Sequence, residues 1–258
     1  MTTTISCIGA GRVTRILLEG LAKKNNLPDR IIAVDTNDDV LLNLKQSLPM
    51  IEMKSAIDES VTMADFIFIA LHPPAVVDAI KAITPTLGQK STIVSLAPKI
   101  KTAMIHQLTS GKNPVIRMIP NAPSLVNEGY NPVTFGPGCT DQVRKTFTNL
   151  MAPLGKMPEV AEETLEAYAV ITAMGPTYLW FQLAELTRLG ESFGLSPDEA
   201  YRAVLSMTAG AVKTMQESGL SPDGVMDLIP VKPLGDHEET IRGMYAASLT
   251  GLYGKLTS

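Results

Sequence analysis

The chain is 258 residues long, enough for one large domain or two modest ones at about 150 residues per domain. Its hydrophobic fraction of 45% and charged fraction of 19% exclude disordered and fibrous classes, and a net charge of −4 with 5% aromatic residues offers no basic, stacking surface to nucleic acid. No window holds the roughly 18 apolar residues of a membrane helix, and positions 1–5 lack a basic segment leading into an apolar one, so a cytoplasmic protein with no membrane partner is expected.

In chain order, segments 4–8, 31–34, 66–70, 92–95 and 115–118 are short apolar runs rich in β-branched residues, the pattern of strands buried on both faces. Helical spacing separates them. Over 12–25, Val13, Ile16, Leu17 and Leu21 share a face; Asn37 is placed to cap a second helix reaching Leu44; residues 76–83 form a third. Strands alternating with helices imply right-handed crossovers and a parallel sheet. Cys7 lies in the first strand pattern and is expected in the core. Together with Cys139, His72, His106 and His237 it forms no ligand spacing, so no metal is expected.

From Glu163 onward the strand pattern stops, and 176–193, 200–218 and 238–256 read as long helices. Ser196-Pro197-Asp198-Glu199 is a capping box with Pro at the first helical position, and Gly194 ends the helix before it. The expected division is therefore an α/β domain over 1–160 and an all-helical domain over 161–258. The 200–218 helix is apolar or small nearly all round, through Ala200, Val204, Leu205, Met207, Ala211 and Met215, which predicts burial on several sides and a subunit partner to cover it.

The strand 4–8 runs into Gly9-Ala10-Gly11-Arg12-Val13-Thr14 and then a helix. Gly9 permits a tight turn, Gly11 lets backbone approach a pyrophosphate, and the helix offers free N–H groups and its positive end. Thr14 stands where a third small residue is usual. Asp35 closes the next strand 21 positions after Thr14, near the roughly 20 expected of a carboxylate that holds a ribose 2′-hydroxyl, and its charge favours NADH over NADPH. Arg12 either flanks a phosphate or is solvated at the helix start. His72-Pro73-Pro74 follows the strand 66–70 at the edge where open α/β sheets bind ligands; His72 either serves as an acid or, with the prolines, shapes the loop.

Gly9-Ala10-Gly11, Ala64-Asp65, Val94-Ser95-Leu96-Ala97 and the run Arg117-Met118-Ile119-Pro120-Asn121-Ala122-Pro123-Ser124-Leu125-Val126-Asn127-Glu128-Gly129 together resemble the pyrroline-5-carboxylate reductase family. Thr172-Ala173-Met174-Gly175-Pro176-Thr177-Tyr178 stands where that family has Ser-Gly-Ser-Gly-Pro-Ala-Tyr, so the resemblance spans nearly the whole chain. It implies an N-terminal Rossmann-type domain, a C-terminal helical dimerisation domain interleaved in a homodimer, and NAD(P)H-dependent reduction of a cyclic imine in proline biosynthesis. The substrate it implies is 1-pyrroline-5-carboxylate or a related imino acid. By the same resemblance the turn at Gly9, Ala10, Gly11, Arg12 and Val13 meets the pyrophosphate, and Ala97, Pro120 and Asn121 lie against the nicotinamide and its ribose; His72 and Pro73, at the sheet edge, are also expected to line the cofactor. Pro120 and Pro123 fix the backbone around Asn121, so its amide is expected to be presented on a stiff loop. Met174, Gly175 and Thr177 are expected to line the substrate.

The resemblance breaks at 229–240, where Ile229-Pro230-Val231-Lys232-Pro233-Leu234-Gly235-Asp236-His237 replaces the family's Ser-Pro-Gly-Gly-Thr-Thr. Lys232, with Gly235 nearby, is the local cation expected to anchor a substrate carboxylate, while Asp236 and His237 are placed to cap the last helix. A related or bulkier imino acid therefore stands beside 1-pyrroline-5-carboxylate as the expected substrate. A cyclic imine arrives partly protonated, so no catalytic acid is required of the chain. Two alternatives stand beside this reading. A 3-hydroxyacid-type dehydrogenase would use a Lys on a long helix, for which Lys213 is the candidate, and a cofactor-binding protein without turnover would fit the altered loop.

Overall fold

The structure is a computed structural model and describes residues 2–258. Its first part alternates β1 (Thr4–Ile8), α1 (Arg12–Lys23), β2 (Arg30–Val34), α2 (Asp38–Ser47), β3 (Glu52–Lys54), α3 (Glu59–Thr62), β4 (Phe66–Ile69), α4 (Pro73–Ile83), β5 (Thr92–Ser95), α5 (Thr102–Leu108) and β6 (Val115–Met118). β7 (Gly129–Tyr130), β8 (Val133–Phe135), α6 (Asp141–Met151) and β9 (Gly155–Lys156) follow. The main sheet has the order β3-β2-β1-β4-β5-β6-β8, parallel throughout except for the β6–β8 pair. β1 lies between β2 and β4, so the strand order reverses there and a crevice opens at the carboxyl ends of the strands.

Successive strand side chains point to opposite faces, and both faces are buried. Cys7, Ala33, Phe66, Phe68, Ile116 and Met118 pack with Leu17 and Leu21 of α1, Leu44 of α2 and Phe147 of α6. Ile8, Ile32, Val34, Ile67, Ile69 and Ile93 pack on the other side with Val76 and Ile80 of α4 and Ile105 of α5. Each such aliphatic or aromatic side chain contributes about 1.5–3 kcal/mol when fully buried, which is why these strands read as unbroken apolar runs. The helix after β2 starts where expected: Asn37 Oδ1 accepts from Asp39 N–H at 3.0 Å and Val40 N–H at 3.3 Å, and the helix runs past Leu44 to Ser47.

After β9 come the turn Glu162–Thr164, α7 (Leu165–Tyr168) and a π turn, Ala169–Ala173. Leu165 and Ala169 bury against Ile119, and the side chains of Glu162 and Glu166 reach Thr102 and Lys99. These contacts carry the first compact unit on to Met174, later than the boundary near 160 expected from the loss of strand pattern; the unit also takes in Tyr253–Ser258.

The second unit, Gly175–Leu252, contains α8 (Gly175–Ser192), α9 (Pro197–Glu217), α10 (Pro222–Met226) and most of α11 (Glu238–Thr257). Gly194 takes φ +101° after α8, and α9 opens on the expected capping box, with Glu199 N–H donating to Ser196 Oγ at 3.4 Å and Ser196 N–H to Glu199 Oε2 at 3.0 Å. α8 and α9 approach closely at Gly190, where a Cβ would lie 3.1 Å from that of Ala200. The rings of Tyr178 and Tyr245 meet edge to face at 6.2 Å. Ala200 is nevertheless the only buried residue of this unit among the described residues. The burial expected around α9 is not supplied within the chain, since Leu205, Met207, Val212 and Met215 are all exposed.

Candidate active site

The turn after β1 requires glycine at Gly9 and leaves open space at Gly11. Gly9 has φ +99°, and a Cβ there would sit 2.4 Å from the carbonyl oxygen of Ala70, so no side chain fits. At Gly11 a Cβ would meet nothing within 4 Å, so the backbone faces open space that a ligand can enter. α1 has no side-chain cap and no acidic residue in its first turn, which leaves its leading N–H groups for an anion. Thr14, at the third fingerprint position, is buried and donates its hydroxyl to Gly9 O at 2.6 Å, so its extra bulk is used to fasten the turn. Val13 and Arg12 are exposed, and Arg12 has no ion-pair partner among the described residues.

Asp35, at the end of β2, is bound to this turn. Its Oδ2 accepts from Ala10 N–H at 2.9 Å and its Oδ1 from Asn37 N–H at 3.0 Å. The carboxylate is thereby fixed beside the glycine turn, and each oxygen keeps a lone pair for a further donor.

Across the strand-order reversal lie the loops after β4, β5 and β6, on the same edge of the sheet because β1 to β6 all run parallel. His72 is exposed at the amino end of α4 and makes no cap bond, with Pro73 at the first helical position. Ala97 is buried, and Pro120 is half-buried. Asn121 is 9% exposed. Its amide is turned inward: Oδ1 accepts from Tyr130 N–H at 3.0 Å, and Nδ2 donates to Thr172 O at 3.4 Å. The side chain thereby braces the loop between β7 and the π turn.

One cluster had no place among the expected site residues. Arg117, on β6, is fully buried, donates Nε to Ala97 O at 3.3 Å and pairs through Nη2 with Glu166. Its signal in the sequence was a lone Arg inside the apolar strand Val-Ile-Arg-Met, with two carboxylates four positions apart at Glu162 and Glu166.

In the region expected to line substrate, Met174 closes the π turn through its N–H to Ala169 O at 3.1 Å, Gly175 begins α8, and Thr177 follows in its first turn. Lys232 is exposed, and Gly235 N–H donates to its carbonyl at 2.9 Å, closing a tight turn. Asp236 and His237 sit inside a 3-10 turn running directly into α11, so they continue the helix axis where a side-chain cap was expected. Lys213 is solvent-exposed on α9, 3.7 Å from Glu217. Burial pushes the Cys7 thiol up to about 12, as befits a core residue. Among the described residues no group of His, Cys, Asp or Glu is arranged to hold a metal, and no helix is long and apolar enough to cross a membrane.

Comparison with known proteins agrees with this layout. Residues 4–99 match the family described as NADP oxidoreductase, coenzyme F420-dependent, and residues 162–254 match the family described as pyrroline-5-carboxylate reductase dimerisation. The pyrroline-5-carboxylate reductase of Corynebacterium melassecola is 28% identical over 257 residues, covering 97% of this chain and 93% of that protein. That of Escherichia coli K12 is 25% identical, covering 94% and 90%. In fold, the chain is similar to Plasmodium falciparum pyrroline carboxylate reductase with NADP bound, at TM-score 0.84, 18% identity and coverage of 99% and 97%. It is also similar to the Streptococcus pyogenes 1-pyrroline-5-carboxylate reductase, at TM-score 0.81, 15% identity and coverage of 98% of each chain. A nucleotide-type turn at the head of a parallel sheet, a helical region that matches the pyrroline-5-carboxylate reductase dimerisation family and relatives matched over nearly their full length point the same way: the chain is similar throughout to pyrroline-5-carboxylate reductases.

Proposed function

We propose that the protein reduces the C=N bond of a cyclic imino acid, 1-pyrroline-5-carboxylate or a close analogue, with a reduced nicotinamide dinucleotide. The observation that carries this reading is the uncapped amino end of α1 at Gly9–Gly11 with Asp35 fixed beside it, in a chain similar throughout to pyrroline-5-carboxylate reductases. The α1 N–H groups receive the pyrophosphate, and Arg12, exposed at that helix end, is free to meet a phosphate. The free lone pairs of Asp35 accept from a ribose hydroxyl. A 2′-phosphate there would face Asp35, Asp38 and Asp39 together, so NADH is the preferred form.

When bound, the cofactor supplies the hydride. The chain supplies position. Ala97 and Pro120 form the floor beside the nicotinamide ring, and His72 and Pro73 its rim. The buried, doubly bonded amide of Asn121 keeps the Pro120 loop rigid. Met174, Gly175 and Thr177 are assigned to the substrate ring, and Lys232, with the Gly235 turn behind it, to the substrate carboxylate. A cyclic imine is basic enough to enter protonated, so no side chain is assigned as catalytic acid. The functional division follows the chain, with cofactor binding over 1–160 and a helical region over 161–258 that associates with a second copy. NADH and NADPH oxidation measured with pyrroline-5-carboxylate and a panel of other cyclic imino acids tests the reading; binding of NADH with no turnover of any imino acid would overturn it.

A further inference from the structure

We infer that Arg117, Glu166 and Glu162 are positioning residues that set the 97–102 loop against the nicotinamide half of the cofactor. The inference rests on the cofactor reading above. Three backbone positions of that loop are tied to one buried charge cluster. Arg117 Nε holds Ala97 O at 3.3 Å; Glu166, paired with Arg117 Nη2, accepts Lys99 N–H at 2.9 Å; Glu162 accepts Thr102 N–H at 2.6 Å and the Thr102 hydroxyl at 3.0 Å. Glu162 also lies 3.5 Å from Arg117 Nη1, the one buried side-chain polar atom left without a hydrogen bond among the described residues.

Two features say that this cluster fixes geometry. Lys99 has φ +74°, a left-handed conformation that costs a non-glycine residue about 1–2 kcal/mol and persists where the surroundings over-determine it. The bond from its N–H to Glu166 is that determinant. Furthermore, a buried ion pair is weak evidence for stability, since apolar residues of the same volume commonly serve as well or better. A fully buried Arg with two carboxylates, all directed at one loop, therefore points to placement of that loop. The direction follows from topology. A dinucleotide with its pyrophosphate at the β1 turn and its adenosine ribose at Asp35 extends its other half over β4, β5 and β6. The 97–102 loop follows β5 and so meets the nicotinamide half only.

The test is calorimetric binding of NADH and of ADP-ribose, which lacks the nicotinamide, to the wild type and to Glu166→Gln. The variant keeps the volume and an acceptor for Lys99 N–H but removes the charge that orients Arg117. The expected result is a rise of about tenfold in the Kd for NADH with the Kd for ADP-ribose within about twofold. Should Glu166→Gln fail to fold, Glu162→Gln, whose side chain is partly exposed, is expected to weaken NADH by about threefold with ADP-ribose again unchanged. Unchanged NADH affinity, or equal loss of both ligands, overturns the inference while leaving the cofactor reading standing. A wild type that binds neither ligand overturns both.

Discussion

Asp35 and Ala10 are joined by a 2.9 Å hydrogen bond from the backbone N–H of the glycine turn to a carboxylate oxygen at the end of the neighbouring strand. One carboxylate thus helps hold the turn that meets the pyrophosphate and presents its remaining lone pairs where the adenosine ribose belongs. Replacing Asp35 by Ala is expected to raise the Kd for NADH by about tenfold, the worth of one hydrogen bond to a charged group, and to weaken NADPH less, because a repulsion is removed at the same time. Titration of both cofactors into wild type and variant checks this. An unchanged NADH-to-NADPH ratio would remove Asp35 from the ribose.

Asn121→Ala is expected to act first on stability. The truncation leaves Tyr130 N–H and Thr172 O without their partner at a residue that is 9% exposed, and each unmet buried group costs about 1–3 kcal/mol. A fall in the urea midpoint accompanied by a fall in turnover is the expected pair of results. Lost turnover at unchanged stability would instead return Asn121 to direct contact with the cofactor.

The difference between those outcomes shows where the sequence was legible. Strands β1, β5 and β6 stand at the positions their apolar runs predict, since a strand buried on both faces must be apolar at every position. Asn37 and the Ser196–Glu199 box were legible because caps act within one turn. β3, β7 and β9, of two or three residues each, leave no period to read, and α6 was likewise not anticipated. The Gly9–Gly11 turn and the placement of Asp35 beside it were legible because they depend on local spacing. Arg117, Glu166 and the inward turn of Asn121 were not, because each depends on a partner far along the chain, 49 positions away for Arg117 and Glu166. The first compact unit runs on to Met174 for the same reason: the burial of Leu165 and Ala169 against Ile119 is a long-range contact.

Lys232→Ala tests the substrate side. The residue is exposed on a tight turn closed by Gly235, in the loop whose residues depart most from the family pattern. If its ammonium holds the substrate carboxylate, the variant raises KM for the imino acid by about tenfold, leaves the Kd for NADH unchanged, and regains affinity in Lys232→Arg. Equal KM values in wild type and Lys232→Ala would move the carboxylate anchor elsewhere.

The helical unit makes the strongest demand for a partner. Gly175–Leu252 buries only Ala200, while Phe193 is 80% exposed, Val231 73% and Ile229 69%. Phe193 and Ile229 line an open groove with Phe181, Leu189, Leu234 and Tyr245. Apolar surface left in water forfeits about 25 cal/mol per Å2, so a unit built this way gains most of its stability by covering that groove with another apolar surface. A second copy of the same unit supplies one, in keeping with the dimerisation family that matches 162–254. Light scattering is expected to find the wild type as a dimer or larger, with a melting temperature that rises with protein concentration. Phe193→Asp places a carboxylate in the groove lining and is expected to shift the protein to monomer and abolish that concentration dependence. A wild type that is monomeric at micromolar concentration, with a melting temperature independent of dilution, would show that the exposed face of this unit is not an interface between copies of the chain.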